Sequence, residues 1–578
     1  MPSRSNIKSC AAGISAGDFR SAVNKMEGKI KVSKKNKKAS AAESGVKRTP
    51  AESRGSAKKG SAVKEARGLT MHEKFAGLFV ISMLSIFPIY MTDKLFHIRT
   101  DRLQYFEVTT FVLLFFIVAT YICGIDRDRK PQRIFKMSVA DWAFIAFVVV
   151  CLISACLSEY GKEAFTGSEG RDSGFWLMAV YLLCFLLVSR YFKYKEVVFT
   201  IFAVMASVIC FIGVLHEFSI DPFGLIVDIK KEQQKDFIST IGNINMFSAF
   251  VCVALPVCSA LLVTAKDTLS AIFYAVTLAF CSMGLLVANS LSGYFGLISF
   301  MAVLFVFCCA GTKRIYRYFL TITVMLMSTK ILRLMSLFFN DEYKNLQDVS
   351  YFLIFDNRVF ILLAVFAAVT AALYFLCRKK GDLAAPKWVQ PAAGAIVALA
   401  ALAVVGVFVY FSFIDKETDL GKFSKLLRLN DQWGTHRGYA WIRGMILFKS
   451  NGIKNILVGS GPDTFSQLIK GVYREDMLKR HGSIFDTAHN EFLNYLVTTG
   501  VLGFAAYVTL LVSILVRAIR RCRFDETFII VMLPIIGYAS QSVFSLATPI
   551  ITPFLFLFLA LTEAHIRRYD LEHEEKFA

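Results

Sequence analysis

Charged side chains are scarce in this sequence. Lys, Arg, Asp and Glu make up 19% of its 578 residues, whereas 55% are hydrophobic and the mean hydropathy is +0.53. A soluble protein needs charges on about 25–35% of its surface. So few charges cannot cover several soluble domains. The composition therefore excludes a cytosolic enzyme and predicts an all-α polytopic integral membrane protein.

Paired cysteines and metal-binding patterns are also absent from the sequence. The 13 cysteines include no CxxC pair, and most of them lie inside apolar runs. We therefore expect neither a disulfide framework nor a cysteine zinc site. The predicted outward loops contain no Asp-x-Asp pair, so we expect no metal and no other cofactor. Of the net charge of +21, +12 lies in residues 1–74, with 18 Lys and Arg against 6 Asp and Glu. The remainder is only mildly basic, so nucleic-acid binding is not predicted.

About fourteen apolar runs follow the polar N-terminal tail, and a membrane helix needs about 17–25 residues. Lys330 and Arg333 interrupt one of these runs. The runs lie near 75–92, 105–124, 139–157, 175–189, 197–215, 246–264, 270–288, 292–310, 318–338, 359–377, 392–413, 501–516, 527–546 and 549–564.

Every second loop between the runs is rich in Lys and Arg, which is typical of cytoplasmic loops. We therefore predict that both termini are cytoplasmic and that the longest loop is extracytoplasmic. The predicted organisation is a disordered basic cytoplasmic tail at 1–73, membrane helices 1–11 within 74–413, an extracytoplasmic loop domain at 414–500, membrane helices 12–14 within 501–565, and a cytoplasmic tail at 566–578.

The long loop carries a series of short motifs. Arg437 and Trp441 come first, the Gly-Ser-Gly-Pro-Asp-Thr-Phe turn at 459–465 follows, and His489 and Asn490 stand just before a membrane run. In this order the motifs resemble the signature region of the O-antigen ligase/polymerase family. Motifs at the outward edges of other runs are similar to that family as well: 167–176, 240–250 and 289–297.

The resemblance implies an enzyme of the bacterial cytoplasmic membrane. Such enzymes transfer a glycan from undecaprenyl diphosphate to an acceptor hydroxyl during assembly of cell-surface polysaccharide. The family includes polymerases, ligases and protein O-oligosaccharyltransferases, which differ in the acceptor. The sequence leaves the acceptor open between a glycan, a lipid and a protein. The partners expected are therefore the lipid-linked donor, an acceptor and the bilayer.

Two residues are predicted to carry the chemistry. The acceptor hydroxyl needs a base that works near neutral pH, and histidine is the usual one, so His489 is the candidate base. The alternative is a helix cap or a solvated side chain. Arg437 is the candidate for the diphosphate, because a guanidinium binds phosphate oxygens through a planar, always charged fork. Asn490 could orient His489.

The remaining candidates for substrate binding are Arg171, Arg443, Asn243, Asn245, Lys330 and Arg333. Each has a structural alternative: the two asparagines could cap a helix, and Arg171 could extend to the membrane interface. The family usually has Ser-Arg where this chain has Ser292 and Gly293. Lys330 and Arg333, three residues apart in an apolar run, could replace that arginine, or both could extend to the interface.

Two other classes of function stay open at this point. A transporter or flippase of lipid-linked saccharides would share the membrane runs and the cationic sites. Transporters usually bind near the middle of the bilayer on broken helices, whereas these candidates cluster toward one face. A scaffold without chemistry would leave the loop motifs unexplained. The pattern therefore favours the transferase.

Overall fold

The computed structural model describes residues 68–125, 135–339, 346, 348–450, 452–482, 484–485 and 487–573. Most of the predicted tail at 1–73, and the end of the predicted tail at 566–578, lie outside these residues. The described chain is almost entirely helical, with one two-stranded antiparallel sheet in which Phe237 pairs with Asn243. The predicted all-α class is confirmed.

The helices are labelled in chain order. The first eleven are α1 Met71–Ser85, α2 Ile98–Ile122, α3 Val139–Cys156, α4 Lys162–Thr166, α5 Phe175–Tyr191, α6 Glu196–Glu217, α7 Lys231–Gln234, α8 Ile244–Thr264, α9 Thr268–Ala288, α10 Leu291–Cys308 and α11 Thr312–Ser336. The next ten are α12 Asp348–Phe355, α13 Arg358–Lys380, α14 Val389–Val409, α15 Ser424–Leu427, α16 Trp433–Ser450, α17 Gly452–Val458, α18 Phe465–His481, α19 Glu491–Arg521, α20 Phe528–Gln541 and α21 Thr552–Glu572. The strands are β1 Phe237–Ile238 and β2 Gly242–Asn243.

A helix covers most of each predicted apolar run. In the described part of the chain, 11 helices are long and apolar enough to cross a membrane, and Phe175–Tyr191 and Phe528–Phe544 are shorter apolar helices. α8 is buried along nearly its whole length and forms the centre of the bundle. The structure is that of a multi-pass membrane protein, while the number of fourteen spans stays a prediction.

α19 begins ten residues before the predicted run at 501–516. Gly500 divides this helix with φ 69° and ψ −176°, a conformation that glycine adopts without strain. A Cβ at this position would lie 2.3 Å from the carbonyl oxygen of Leu457. Beyond the bend the helix turns back, so the Tyr507 hydroxyl donates to Glu491 over 2.7 Å. The predicted loop at 414–500 therefore ends in a short helix that belongs to the bundle.

Arginines mark one end of the bundle. This basic face carries Arg190, Arg317, Arg517, Arg521 and Arg567, which lie near the ends of four helices, α5, α11, α19 and α21. At the other end, the loop face, the segments 157–174, 237–245, 289–292, 415–490 and 542–551 meet through mutual contacts. The predicted alternation of basic loops thus corresponds to one end of the bundle.

Buried ion pairs hold the basic face together. The Asp141 carboxylate, which is fully buried, accepts from Arg190 over 3.2 Å and also from Arg567. Arg567 pairs in addition with Glu563 over 3.1 Å. Asp141 therefore joins α3 to α5 and α21, and its removal would leave Arg190 without a paired carboxylate and Arg567 with Glu563 alone.

Asp141→Ala is expected to destabilise the protein by about 3–5 kcal/mol, because breaking a buried ion pair leaves uncompensated charge. Asp228→Ala is the control: Asp228 pairs with Lys94, but its side chain is 55% exposed, and such pairs contribute at most about 1 kcal/mol. The denaturation midpoint in SDS, measured on both variants in detergent micelles, checks this. Equal losses for the two variants would contradict it.

Candidate functional site

The glycine-rich turn at 459–465 is docked against the segment 167–174. The buried Asp463 carboxylate accepts hydrogen bonds from the backbone N–H groups of Ser168, over 2.8 Å, and Ser173, over 3.2 Å. Burial raises the pKa of Asp463 to about 6, and the nearby Arg171 guanidinium opposes this rise. Two motifs that are 290 residues apart in sequence are thus joined by one carboxylate.

The same turn is also fixed to α19. The Gly461 N–H donates to the Thr498 carbonyl over 3.0 Å, and the Ser158 hydroxyl donates to the Ser460 carbonyl over 2.6 Å. Gly461 has φ 120°, and a Cβ there would lie 2.5 Å from the Ser158 oxygen. Close backbone contact therefore requires glycine at this position. Three of the predicted motifs meet here: the 167–176 segment, the turn and the start of α19.

A pocket opens where these motifs meet. Its polar lining combines the buried Arg171 with hydroxyl, carboxyl and amide groups, and its other wall is apolar. It is lined by Cys151, Arg171, Ser173, Met178, Pro462, Asp463, Thr487, Asn494, Tyr495, Thr499, Leu546 and Ala547. The cavity itself has a volume of about 10 Å³, room for one water molecule, so a donor head group would bind at its mouth, beside the Arg171 cation.

His489 lies at the edge of this pocket, immediately before α19. It is partly exposed, and its backbone has φ 46°, in the left-handed region. Its backbone N–H donates over 3.1 Å to the hydroxyl of Thr487, which lines the pocket. The next residue, Asn490, is the N-cap of α19 and accepts from the Leu493 N–H over 2.9 Å. The Asn490 amide oxygen is therefore used as a helix cap.

Arg437 lies near the start of α16. Trp441 follows one helical turn later, and its indole N–H donates over 2.8 Å to the carbonyl of Ala488, next to His489. Arg437 is partly buried, and burial lowers its pKa. Among the residues that the structure describes, none forms an ion pair with Arg437. The site thus contains a cation with capacity to bind an anion.

Arg443, on the same helix, has a different environment. Its guanidinium forms a two-point contact with Asp431, with one N–O distance of 2.9 Å, and lies 4.3 Å from the centre of the Tyr439 ring. Asp431 also contacts Arg480 over 3.4 Å. These contacts stabilise the loop domain, so the geometry gives Arg443 a structural role and distinguishes it from Arg437.

The two predicted asparagines lie at the start of α8. Asn243 is its N-cap and accepts from the Asn245 N–H over 2.8 Å. The Asn245 amide oxygen accepts from the Ser290 hydroxyl over 3.1 Å. A Cβ at Gly293 would lie 2.3 Å from the Ser248 oxygen, so the position of the usual family arginine is packed tightly against α8.

Lys330 and Arg333 bind the end of α12. The Lys330 ammonium donates to the carbonyls of Leu353 and Ile354 over 3.1 Å each, and Arg333 donates to the carbonyl of Phe355 over 3.1 Å. The last carbonyls of a helix carry partial negative charge, and cations near them are stabilising. The two side chains share a face, as predicted, but their observed contacts cap a helix.

Several residues of the pocket had no role in the sequence interpretation. The turn at 459–465 is predicted only as a motif, with no role for Asp463, although this residue makes the contacts that join two motifs. Thr487 and Asn494 flank the predicted His489–Asn490 pair and line the pocket. Polar residues two and five positions from a candidate base are the signal that could have identified them.

A comparison with known protein families gives a match. A family model described as O-antigen ligase matches residues 349–508. The matched segment begins within α12 and ends within α19, so it includes Arg437, Trp441 and His489. The matched segment does not include Arg171. That arginine belongs to the site because the fold places the segment 167–174 against the turn at 459–465. No curated protein matches the sequence.

Proposed function

We propose that this chain, whose residues 349–508 match the O-antigen ligase family model, transfers a glycan from undecaprenyl diphosphate to an acceptor hydroxyl. In general terms, the chain is a membrane glycosyltransferase of the O-antigen ligase/polymerase type. One contact supports the proposal that Arg437 and His489 act in the same reaction: the Trp441–Ala488 hydrogen bond brings the helix that bears Arg437 beside His489.

In the proposed reaction the acceptor oxygen attacks the anomeric carbon of the donor sugar. The bond from that carbon to the diphosphate oxygen breaks, and its electron pair leaves with the lipid diphosphate. His489 takes the proton of the acceptor hydroxyl. Arg437 and Arg171 bind the diphosphate and offset its charge, which increases on the leaving oxygen. The chemistry of these residues requires no metal ion.

The orientation of the chain is part of this proposal, because the loop face must be extracytoplasmic to meet a surface-polysaccharide acceptor. Ser450→Cys and Lys193→Cys would place single exposed cysteines at the loop face and near the basic face. In a cysteine-free background, an impermeant thiol reagent applied to intact cells is expected to label position 450 and not position 193. Labelling of position 193 alone would reverse the topology and contradict the mechanism.

The direct test uses purified protein in liposomes with an undecaprenyl-diphosphate glycan and a candidate acceptor, without added divalent metal. The expected result is release of lipid diphosphate together with a glycosylated acceptor. Activity that depends on added magnesium or manganese would contradict the metal-independent mechanism. Movement of the intact lipid-linked glycan between leaflets, with no bond cleavage, would favour a transporter instead.

A further inference from the structure

Trp441 connects the helix that bears Arg437 to the His489 segment. Its indole N–H donates to the carbonyl of Ala488, which is completely buried, over 2.8 Å. Its ring lies against Trp433, at 5.0 Å between ring centres, and is nearly parallel to Phe544. The side chain is therefore fixed on its ring surface as well as at its N–H.

His489 is held by contacts on both sides. The Ala488 carbonyl before it is bound by Trp441, and the Asn490 side chain after it caps α19. Between them, the His489 backbone N–H donates to the Thr487 hydroxyl. The φ angle of His489 is 46°, a value that residues other than glycine rarely adopt. Such a conformation persists when the surrounding structure determines it. The position of the backbone that carries the imidazole therefore depends on these contacts.

We propose that Trp441 is a positioning residue, which fixes His489 for proton removal from the acceptor and holds it in register with Arg437. The proposal rests on the proposed function, in which His489 is the base. Arg437 lies one helical turn before Trp441. The same helix therefore positions both the Arg437 guanidinium and the indole that binds the His489 segment. Small displacements of a base are costly, about a hundredfold in rate for 1 Å.

The comparison is Trp441→Phe against Trp388→Phe. Trp388 is 70% exposed and precedes α14, so the same substitution there does not touch the His489 segment. We expect Trp441→Phe to lower kcat about 10- to 100-fold with little change in the KM for the donor, and Trp388→Phe to stay close to the wild type. Equal kcat losses in the two variants would overturn the proposal.

A second pair of measurements separates positioning from general damage. If Trp441 acts through His489, Trp441→Phe should have no further effect on the residual rate of His489→Ala, so the two losses are not additive. Additive losses would overturn the positioning role. Where Trp441→Phe does not fold, incorporation of 3-benzothienylalanine at position 441 keeps the ring shape and removes only the N–H. The same loss of kcat is expected, and a normal kcat would overturn the proposal.

The two hypotheses fail differently. If well-folded His489→Ala turns over normally, the proposed base is wrong, whatever Trp441 does. If His489→Ala is inactive while Trp441→Phe retains normal kcat and a normal pH profile, His489 stays the base and only the positioning role is overturned.

Discussion

His489→Ala is expected to slow glycan transfer by about 10²–10⁴-fold, the usual contribution of a general base. The loss should appear in kcat, because the imidazole acts on the acceptor proton and not on the diphosphate. Donor binding should change little.

The measurement is the initial rate of lipid-diphosphate release in liposomes, with donor affinity determined separately. His97→Ala is the matched control, because His97 also precedes a helix and its side chain is 66% exposed. His481 is unsuitable, since its ring packs against Tyr439 and Phe485. A folded His489→Ala protein with near-normal turnover would remove His489 from the mechanism.

Hydrophobic runs were enough to predict the helical framework of the bundle. Membrane helices must satisfy their backbone hydrogen bonds internally, so each long apolar run has one available structure. The start of α19 departs from this prediction because Glu491 and Asn494 make residues 491–499 appear polar. In the structure Glu491 is buried against the hydroxyls of Tyr507 and Tyr538, which hydropathy along the chain does not reveal.

The sequence could nominate the charged residues of the site but could not rank them. Arg437 and Arg443 are six residues apart and chemically identical, and only the fold shows that Asp431 binds one of them. Lys330 and Arg333 were candidates because charges inside an apolar run are costly. Their cost is offset by helix-end carbonyls of α12, a long-range contact that no local pattern indicates.

Arg437→Ala is expected to lower kcat/KM by about 10²–10³-fold, the typical loss when a group that stabilises developing charge is removed. Arg437→Lys should be nearly as defective, because an ammonium cannot reproduce the two parallel hydrogen bonds of a guanidinium. In contrast to His489→Ala, both variants should bind the donor more weakly. Burial without an acidic partner already lowers the pKa of this arginine, so a bound diphosphate would supply the missing counter-charge.

Two arginines of the loop domain make this prediction specific. Arg474 is exposed on α18, so Arg474→Ala should leave both activity and donor binding unchanged. Arg443→Ala should lower the thermal stability of the loop domain, because it leaves Asp431 without its closest partner. Donor binding to each variant, measured with a fluorescent lipid diphosphate beside its melting temperature, separates the three roles. Normal donor affinity in Arg437→Lys would show that a point charge is sufficient there, and unfolding of Arg437→Ala would assign this arginine to the loop structure instead.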